Sequence, residues 1–294
     1  MTFPTRSLLF VPGNKPNMIN KALSFQPDVF IPDMEDSVPD SEKVNAREVV
    51  ADHLKAFSGT GRVVIPRLNS MQSGHFEDDL RAVVGPDIVG ISVGKIDRPE
   101  DVIKVSQLML TVEREHGLET GQLRIIPWLE SASAIVHAFE ILSADGRVVA
   151  AAFGAEDFTH DMGIRRVGDE SEVAFARQSM CIAARAAGMP ALDTPYFSFR
   201  DEQGLRENIE ASKQCGFKGK FAIHPAQVEI INGAFAPSVE EIDYARRVVA
   251  AFEEAERNGR GSTSLDGLIW SIMSRGRFLR NSMHTNLSSI SSSL

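Results

Sequence analysis

The strongest constraint on this chain is an alternation. Apolar runs at residues 7–11, 29–31, 63–65, 88–93, 124–129, 148–153, 191–197 and 220–223 are separated by segments long enough for helices. Short apolar runs bounded by polar residues read as strands buried on both faces. The stretches 16–24, 42–57, 76–84, 99–115, 132–142, 172–187 and 201–215 carry helical patterns. Strict alternation of this kind over eight units predicts a closed (β/α)8 barrel. An open doubly wound sheet is the other architecture. No Gly-x-Gly-x-x-Gly follows the first strand, and Gly90 and Gly94 fail that spacing. Further helices are expected at 227–234 and 239–258, followed by an irregular tail. The expected organisation is a barrel domain over 1–258 and a C-terminal tail over 259–294.

The formal charge of −9 and the lack of a basic stripe argue against nucleic acid as a partner. An anionic substrate would need a local cluster of Lys and Arg. Cys181 and Cys215 both fall in helical patterns, and two isolated thiols suggest a reducing compartment. Pro4 and Arg6 interrupt the N-terminus and Pro12-Gly13 closes its apolar run, which is unlike a signal peptide. No run approaches the roughly 20 apolar residues of a membrane span. A cytoplasmic protein is expected.

Two of the runs end abruptly in acid: the fifth in Glu130, the sixth in Gly154-Ala155-Glu156-Asp157. In a barrel, the C-terminal strand ends form one face. Glu130 and Asp157 would converge there, and Mg2+ is often held by one or two carboxylates plus substrate. The same face would collect Glu35, Asp36, Arg67, Lys95 and His224. The guanidinium of Arg67 can grip an acidic substrate, pair with Glu35 or Asp36, or do both. Glu130 and Asp157 have a structural alternative as helix caps and first-turn carboxylates. Ser131, itself a good cap, weakens it for Glu130. Glu156 is the lesser candidate, since one of an adjacent pair should point away. His160 and His224 can be ligands, bases or satisfied structural histidines, and Trp128 reads as packing. Asn14 can cap the first helix. Lys15 and Lys21 flank its start, where amines and free N–H groups can bind phosphate or be simply solvated.

Several segments together carry a resemblance. Arg6-Ser7-Leu8-Leu9-Phe10-Val11-Pro12-Gly13, Asp33-Met34-Glu35-Asp36-Ser37-Val38, Pro66-Arg67-Leu68-Asn69, Glu130-Ser131-Ala132, Phe153-Gly154-Ala155-Glu156-Asp157-Phe158 and Ile223-His224-Pro225-Ala226-Gln227 occur in this order. In them the chain resembles the citrate lyase beta-subunit-like, HpcH-HpaI aldolase family, which includes malyl-CoA, citramalyl-CoA and citryl-CoA lyases. The resemblance implies a TIM barrel, Mg2+ and a homotrimer or hexamer. It implies Glu130 and Asp157 as metal ligands, Arg67 as the holder of the substrate carboxylate, and Phe10, Lys15 and Lys21 as contacts to coenzyme A. Glu35 and Asp36 match an acidic pair that supports Arg67 and the metal's water shell. The implied reaction is reversible carbon–carbon cleavage of a 3-hydroxyacyl-CoA into an acyl-CoA and a 2-oxo acid. The departing enolate must take up a proton.

The chain departs from that pattern near its end. Relatives often carry the proton-handling Asp in a Gly-x-Met-Val-Asp-like motif, delivered to a neighbouring subunit. Here Leu265-Asp266-Gly267 keeps the pattern and Ser271 stands at the Asp position. The residues beyond it are serine-rich and unpatterned, and read as disorder or a foreign tail. Codons for 269–274, read from the third base of the first, permit Met-Val-Asp-Asn-Val followed by Pro. Out-of-frame translation is thus one origin of the tail, natural divergence the other. Metal and 2-oxo acid binding are expected to survive and turnover to be impaired. Competing functions are a lyase subunit acting on an acyl-carrier thioester, a free-acid aldolase or thioesterase, and a catalytically weak barrel that binds a 2-oxo acid or CoA.

Overall fold

The computed structural model describes residues 3–266 and 268–271. The chain divides into two compact units, Met1–Gly233 and Ala234–Leu294.

The first unit is the expected barrel. Its strands are β1 (Ser7–Pro12), β2 (Val29–Asp33), β3 (Val63–Val64), β4 (Arg67–Leu68), β5 (Gly90–Val93), β6 (Arg124–Leu129), β7 (Ala151–Phe153), β8 (Ala191–Asp193) and β9 (Gly219–Ala222). Neighbours pair in parallel in the order β1-β9-β8-β7-β6-β5-β4-β2-β3, and β1 also pairs β2, which closes the ring. β3 and β4 make one stave of eight, interrupted at Pro66, which has no N–H to give the ladder. Around the staves lie α1 (Pro16–Ala22), α2 (Lys43–Ser58), α3 (Phe76–Val83), α4 (Pro99–Glu115), α5 (Ala132–Val136), α6 (Ala138–Ser143), α7 (Ala155–Asp161), α8 (Ala174–Ala186), α9 (Glu202–Cys215) and α10 (Ala226–Phe235).

Alternate strand residues fill one apolar cluster that includes Leu8, Ile31, Ile65, Ile126, Trp128, Ala152, Leu192 and Phe221. Spacing of two within β6 (Ile126, Trp128) is the strand period that turns every second side chain the same way. Several elements are shorter than the sequence suggests. The seventh strand stops at Asp193 because Thr194 precedes Pro195, and proline ends a ladder. In the sixth run Val148 makes only an isolated bridge to Ile125 before β7 begins. The helix expected over 132–142 is two short helices that meet at His137.

In the second unit, α11 (Val239–Arg257) opens with a reciprocal Ser238/Glu241 capping box. β10 (Ser262–Leu265) then pairs antiparallel with β11 (Leu268–Ser271), so the start of the expected irregular tail is a hairpin. The expected disorder of the remaining tail lies outside the described residues. Among the described residues no helix is long and apolar enough to cross a membrane.

Candidate active site at the carboxyl ends of the strands

β2 ends in Asp33 and β4 begins with Arg67, and the two are register partners. That places their side chains side by side. Arg67 Nε donates to Asp33 Oδ1 and Nη2 to Oδ2, each at 2.7 Å, a two-pronged pairing. Nη1 donates to Asp36 Oδ2 at 2.7 Å and lies 3.5 Å from Glu35 Oε2. The guanidinium carbon is 4.5 Å from the centroid of Phe10 and 5.7 Å from that of Trp128. Burial opposes the charge on Arg67, but Asp33, Asp36 and Glu35 together hold its pKa above the ordinary value. Burial also pushes Asp33 up, but Arg67, joined by hydrogen bonds from Ser37 and the Glu35 backbone, holds that carboxyl below the usual range. Both pairings expected from the sequence are present, Asp36 closely and Glu35 more loosely. The principal partner, Asp33, is not among the residues that the sequence singles out.

Glu130 follows β6 and is buried at 7% exposure. The backbone N–H of Lys95 donates to its Oε1 at 2.7 Å. Two glycines make room for this carboxyl. A Cβ on Gly94 would lie 2.9 Å from Glu130 Oε1 and 3.1 and 3.2 Å from the two oxygens of Glu35. A Cβ on Gly154 would collide with Glu130 Oε2. Glu35 and Glu130 therefore crowd one spot. Burial pushes the Glu130 carboxyl up to about 8, and the charges of Asp157 and Glu35 push the same way. Burial likewise raises Glu35 to about 7, against the pull of Arg67 and with the push of Asp36 and Asp33. Glu35 Oε1 is buried without a hydrogen-bond partner. The loop carrying Glu35 is tied down by Lys43 of α2, whose Nζ donates to the carbonyls of Met34 and Glu35 at 3.1 and 2.7 Å.

Asp157 stands half-buried in the first turn of α7, just past the strand tip. Its neighbour Glu156 turns outward to Arg166 at 3.0 Å. Ser131 caps α5 by accepting from Ala134 N–H at 3.0 Å, so Glu130 is not the cap. Among the described residues no group of three or more His, Cys, Asp or Glu is arranged to hold a metal. Glu130 and Asp157 form a two-carboxylate set instead. Oxygen donors whose negative charges repel in a buried place fit a hard divalent cation such as Mg2+, with water or substrate completing its shell.

Phe10 is half-buried and stacks on Phe221 at 5.2 Å, with Trp128 at 5.8 Å. Trp128 packs as expected and donates its indole N–H to Ser92 Oγ at 2.7 Å. The lysine expectation needs correcting. Lys15 occupies the N-cap position of α1, but Lys21 lies in its last turn, where a cation favours the helix dipole. The pair therefore does not flank a helix start. Asn14 is not the cap, and its Oδ1 is buried without a partner. His224 stacks on Phe199 at 4.6 Å and its Nδ1 accepts from Ala226 N–H, a structural arrangement. His160 is exposed in the last turn of α7.

Comparison with known proteins agrees with this architecture. The chain is 37% identical over 264 residues to the citrate lyase subunit beta of Escherichia coli (strain K12), covering 89% of this chain and 87% of that protein. It is 35% identical over 266 residues to the (3S)-malyl-CoA thioesterase of Cereibacter sphaeroides (strain KD131), covering 90% and 89%. Among solved structures it resembles CitE of Mycobacterium tuberculosis in complex with magnesium, acetoacetate and coenzyme A. There the TM-score is 0.74 and the identity 26%, over 97% of this chain and 98% of that one. Residues 6–225 match the HpcH/HpaI aldolase/citrate lyase family, and the chain belongs to it.

Proposed function

We propose that the chain is an Mg2+-dependent carbon–carbon lyase that cleaves a 3-hydroxyacyl-CoA of the malyl-, citramalyl- or citryl-CoA type into an acyl-CoA and a 2-oxo acid. The observation that carries this reading is the pair Glu130 and Asp157, two mutually repelling carboxylates beside a clamped guanidinium. The names of its relatives, citrate lyase subunit beta and a magnesium, acetoacetate and coenzyme A complex, point to the same chemistry. Held by Glu130 and Asp157, Mg2+ would act as Lewis acid and template for the oxygens of the 2-oxo acid.

The residues of the chain do the rest. Three of the five N–H donors of Arg67 are engaged, two by Asp33 and one by Asp36, so two remain for a substrate carboxylate. Phe10 and Trp128 fix the plane in which those donors lie. Glu35 titrates at about 7 and can hold or release a proton at Oε1 at neutral pH, the property required of an acid–base group. Phe10, Lys15 and Lys21 would meet coenzyme A, the two exposed amines through its phosphates. A cytoplasmic homotrimer or hexamer belongs to the same proposal, and light scattering reads the assembly.

The reading is tested by supplying Mg2+ and each of malyl-, citramalyl- and citryl-CoA and following 2-oxo acid release. Release that needs Mg2+ and disappears in Glu130→Gln is expected. No 2-oxo acid from any of the three would overturn the lyase reading. The Cereibacter relative favours a second reading, thioester hydrolysis. Free thiol appearing without 2-oxo acid would select it.

A further inference from the structure

Lys95 combines three observations. It is one of three non-glycine residues with positive φ among those described, at +56°, a region that side chains with a Cβ rarely adopt. The other two, Glu170 and Asp266, lie before a 3-10 turn and in the β10–β11 connection. Lys95 alone stands at the candidate site, and its N–H is the group bonded to Glu130 Oε1. Its side chain is exposed, though its charge acts on the Glu35 carboxyl, while Ile96 next to it is buried.

The loop that forces this conformation is stitched to the segment after Glu130. Asp97 Oδ1 accepts from Ser131 Oγ in a short bond, and the Asp97 carbonyl accepts from Ser133 Oγ at 3.3 Å. Gly94 on one side leaves no room for a Cβ against the Glu130 and Glu35 carboxyls. Unusual backbone geometry persists where surroundings over-determine it, and it concentrates at functional sites. A carboxyl with one oxygen held by a fixed N–H can no longer spin, so its other oxygen has one direction.

We propose that Lys95 is the positioning residue for Glu130: its left-handed backbone aims the amide at Oε1 and fixes the direction in which Oε2 meets a divalent cation. The inference rests on reading Glu130 as a metal ligand. Residues that orient metal ligands typically contribute about 10–100-fold in metal affinity. The amine plays no part in this role, which distinguishes it from a simple charge effect.

The test is calorimetric titration of the full-length protein with Mg2+, without substrate, with circular dichroism to check folding. Lys95→Val, which resists positive φ, should bind about 10–100-fold more weakly. Lys95→Gly, which adopts it freely, should stay within about fivefold of the parent although the charge is gone. Lys95→Ala should fall between, and serves if the valine variant does not fold. Unchanged affinity in Lys95→Val or Lys95→Ala overturns the inference, and so does Lys95→Gly binding as weakly as Lys95→Val. Glu130→Gln separates the two levels. Parental affinity there removes the ligand assignment and the inference with it. Loss there, with full affinity in Lys95→Val, removes the inference alone.

Discussion

Two clusters of buried charge occupy the barrel unit, and they are built on opposite principles. Between β8, β9, α8 and α9, Asp193 accepts from Lys220 Nζ at 2.7 Å, Arg177 Nη2 at 2.7 Å and Ser212 Oγ at 2.5 Å, and Arg177 also reaches Glu170. There both oxygens of Asp193 are bonded, and Glu170 bridges Arg177 to Arg166. At the carboxyl ends of the strands, Asp33, Glu35, Asp36, Glu130 and Asp157 gather around Arg67, with Lys43 and Lys95 beside them. Five carboxyl groups crowd around the one buried guanidinium, and the Oε1 of Glu35 has no partner. Burial of charge by itself therefore says little about function. Partnering separates the two: one cluster pairs both oxygens of its central carboxylate and holds strands to helices, while the other leaves Glu35 Oε1 without a partner and two carboxyls, Glu35 and Glu130, titrating well above their ordinary value.

The comparison predicts opposite consequences for ligand removal. Glu130→Gln or Asp157→Asn should weaken Mg2+ binding by more than about 100-fold, beyond the range for orienting groups. Asp193→Asn should leave calorimetric Mg2+ affinity at the parental value. An equal loss from all three would erase the distinction.

Stability should invert the ranking. Asp193→Ala leaves Lys220 and Arg177 buried without their shared partner, which costs about 3–5 kcal/mol in urea unfolding. Asp33→Ala strips Arg67 of its two-pronged partner and should cost a similar amount. Glu130→Gln removes a strained carboxyl and should stabilise the metal-free protein.

Two kinds of buried carboxyl should also respond to pH with opposite sign, and the strand-end cluster holds both. Glu35 and Glu130 have folded pKa values of about 7 and about 8 against an ordinary 4.5. Their protonated forms favour the fold, so the stability they add is full below pH 4.5 and is lost as pH rises through 7 to 8. Asp33 and Asp193 are held below their ordinary value, so their contribution is present at neutral pH and lost on acidification. Thermal melts of metal-free protein should fall between pH 5 and 8, and Glu130→Gln should flatten that slope. A slope unchanged by Glu130→Gln and Glu35→Gln would place its origin elsewhere. The smallest effect is expected at Phe10→Leu, which removes a contact with Arg67 worth about 0.5–2 kcal/mol and should raise KM for the acyl-CoA several-fold with kcat little changed.

The barrel was legible because buried strands and helices leave different periods in the sequence. The convergence of Glu35, Asp36, Arg67, Glu130 and Asp157 was legible once those strands were assigned, since parallel staves bring their carboxyl ends together. Asp33 was not, because choosing among neighbouring acids requires the register that sets it opposite Arg67. The left-handed turn at Lys95 gave no signal, since a lysine seldom marks positive φ. The β10–β11 hairpin did leave one: Asp266-Gly267 between Leu265 and Leu268 is a strong two-residue turn pair, masked by the polar Ser262-Thr263-Ser264 before it. The bases encoding 269–272 decide the origin of Ser271. If they cannot spell an Asp codon in the shifted frame, divergence is the answer.

The Asp33–Arg67 clamp joins two neighbouring staves and leaves over the donors that the proposed function assigns to a substrate acid. On the proposed function, recognition and wall integrity share one guanidinium, so selectivity could not be retuned by replacing it without loosening the wall. A protein engineer, or natural drift, seeking a different acyl group has a freer hand at Phe10, on the rim of that clamp and outside its hydrogen bonds.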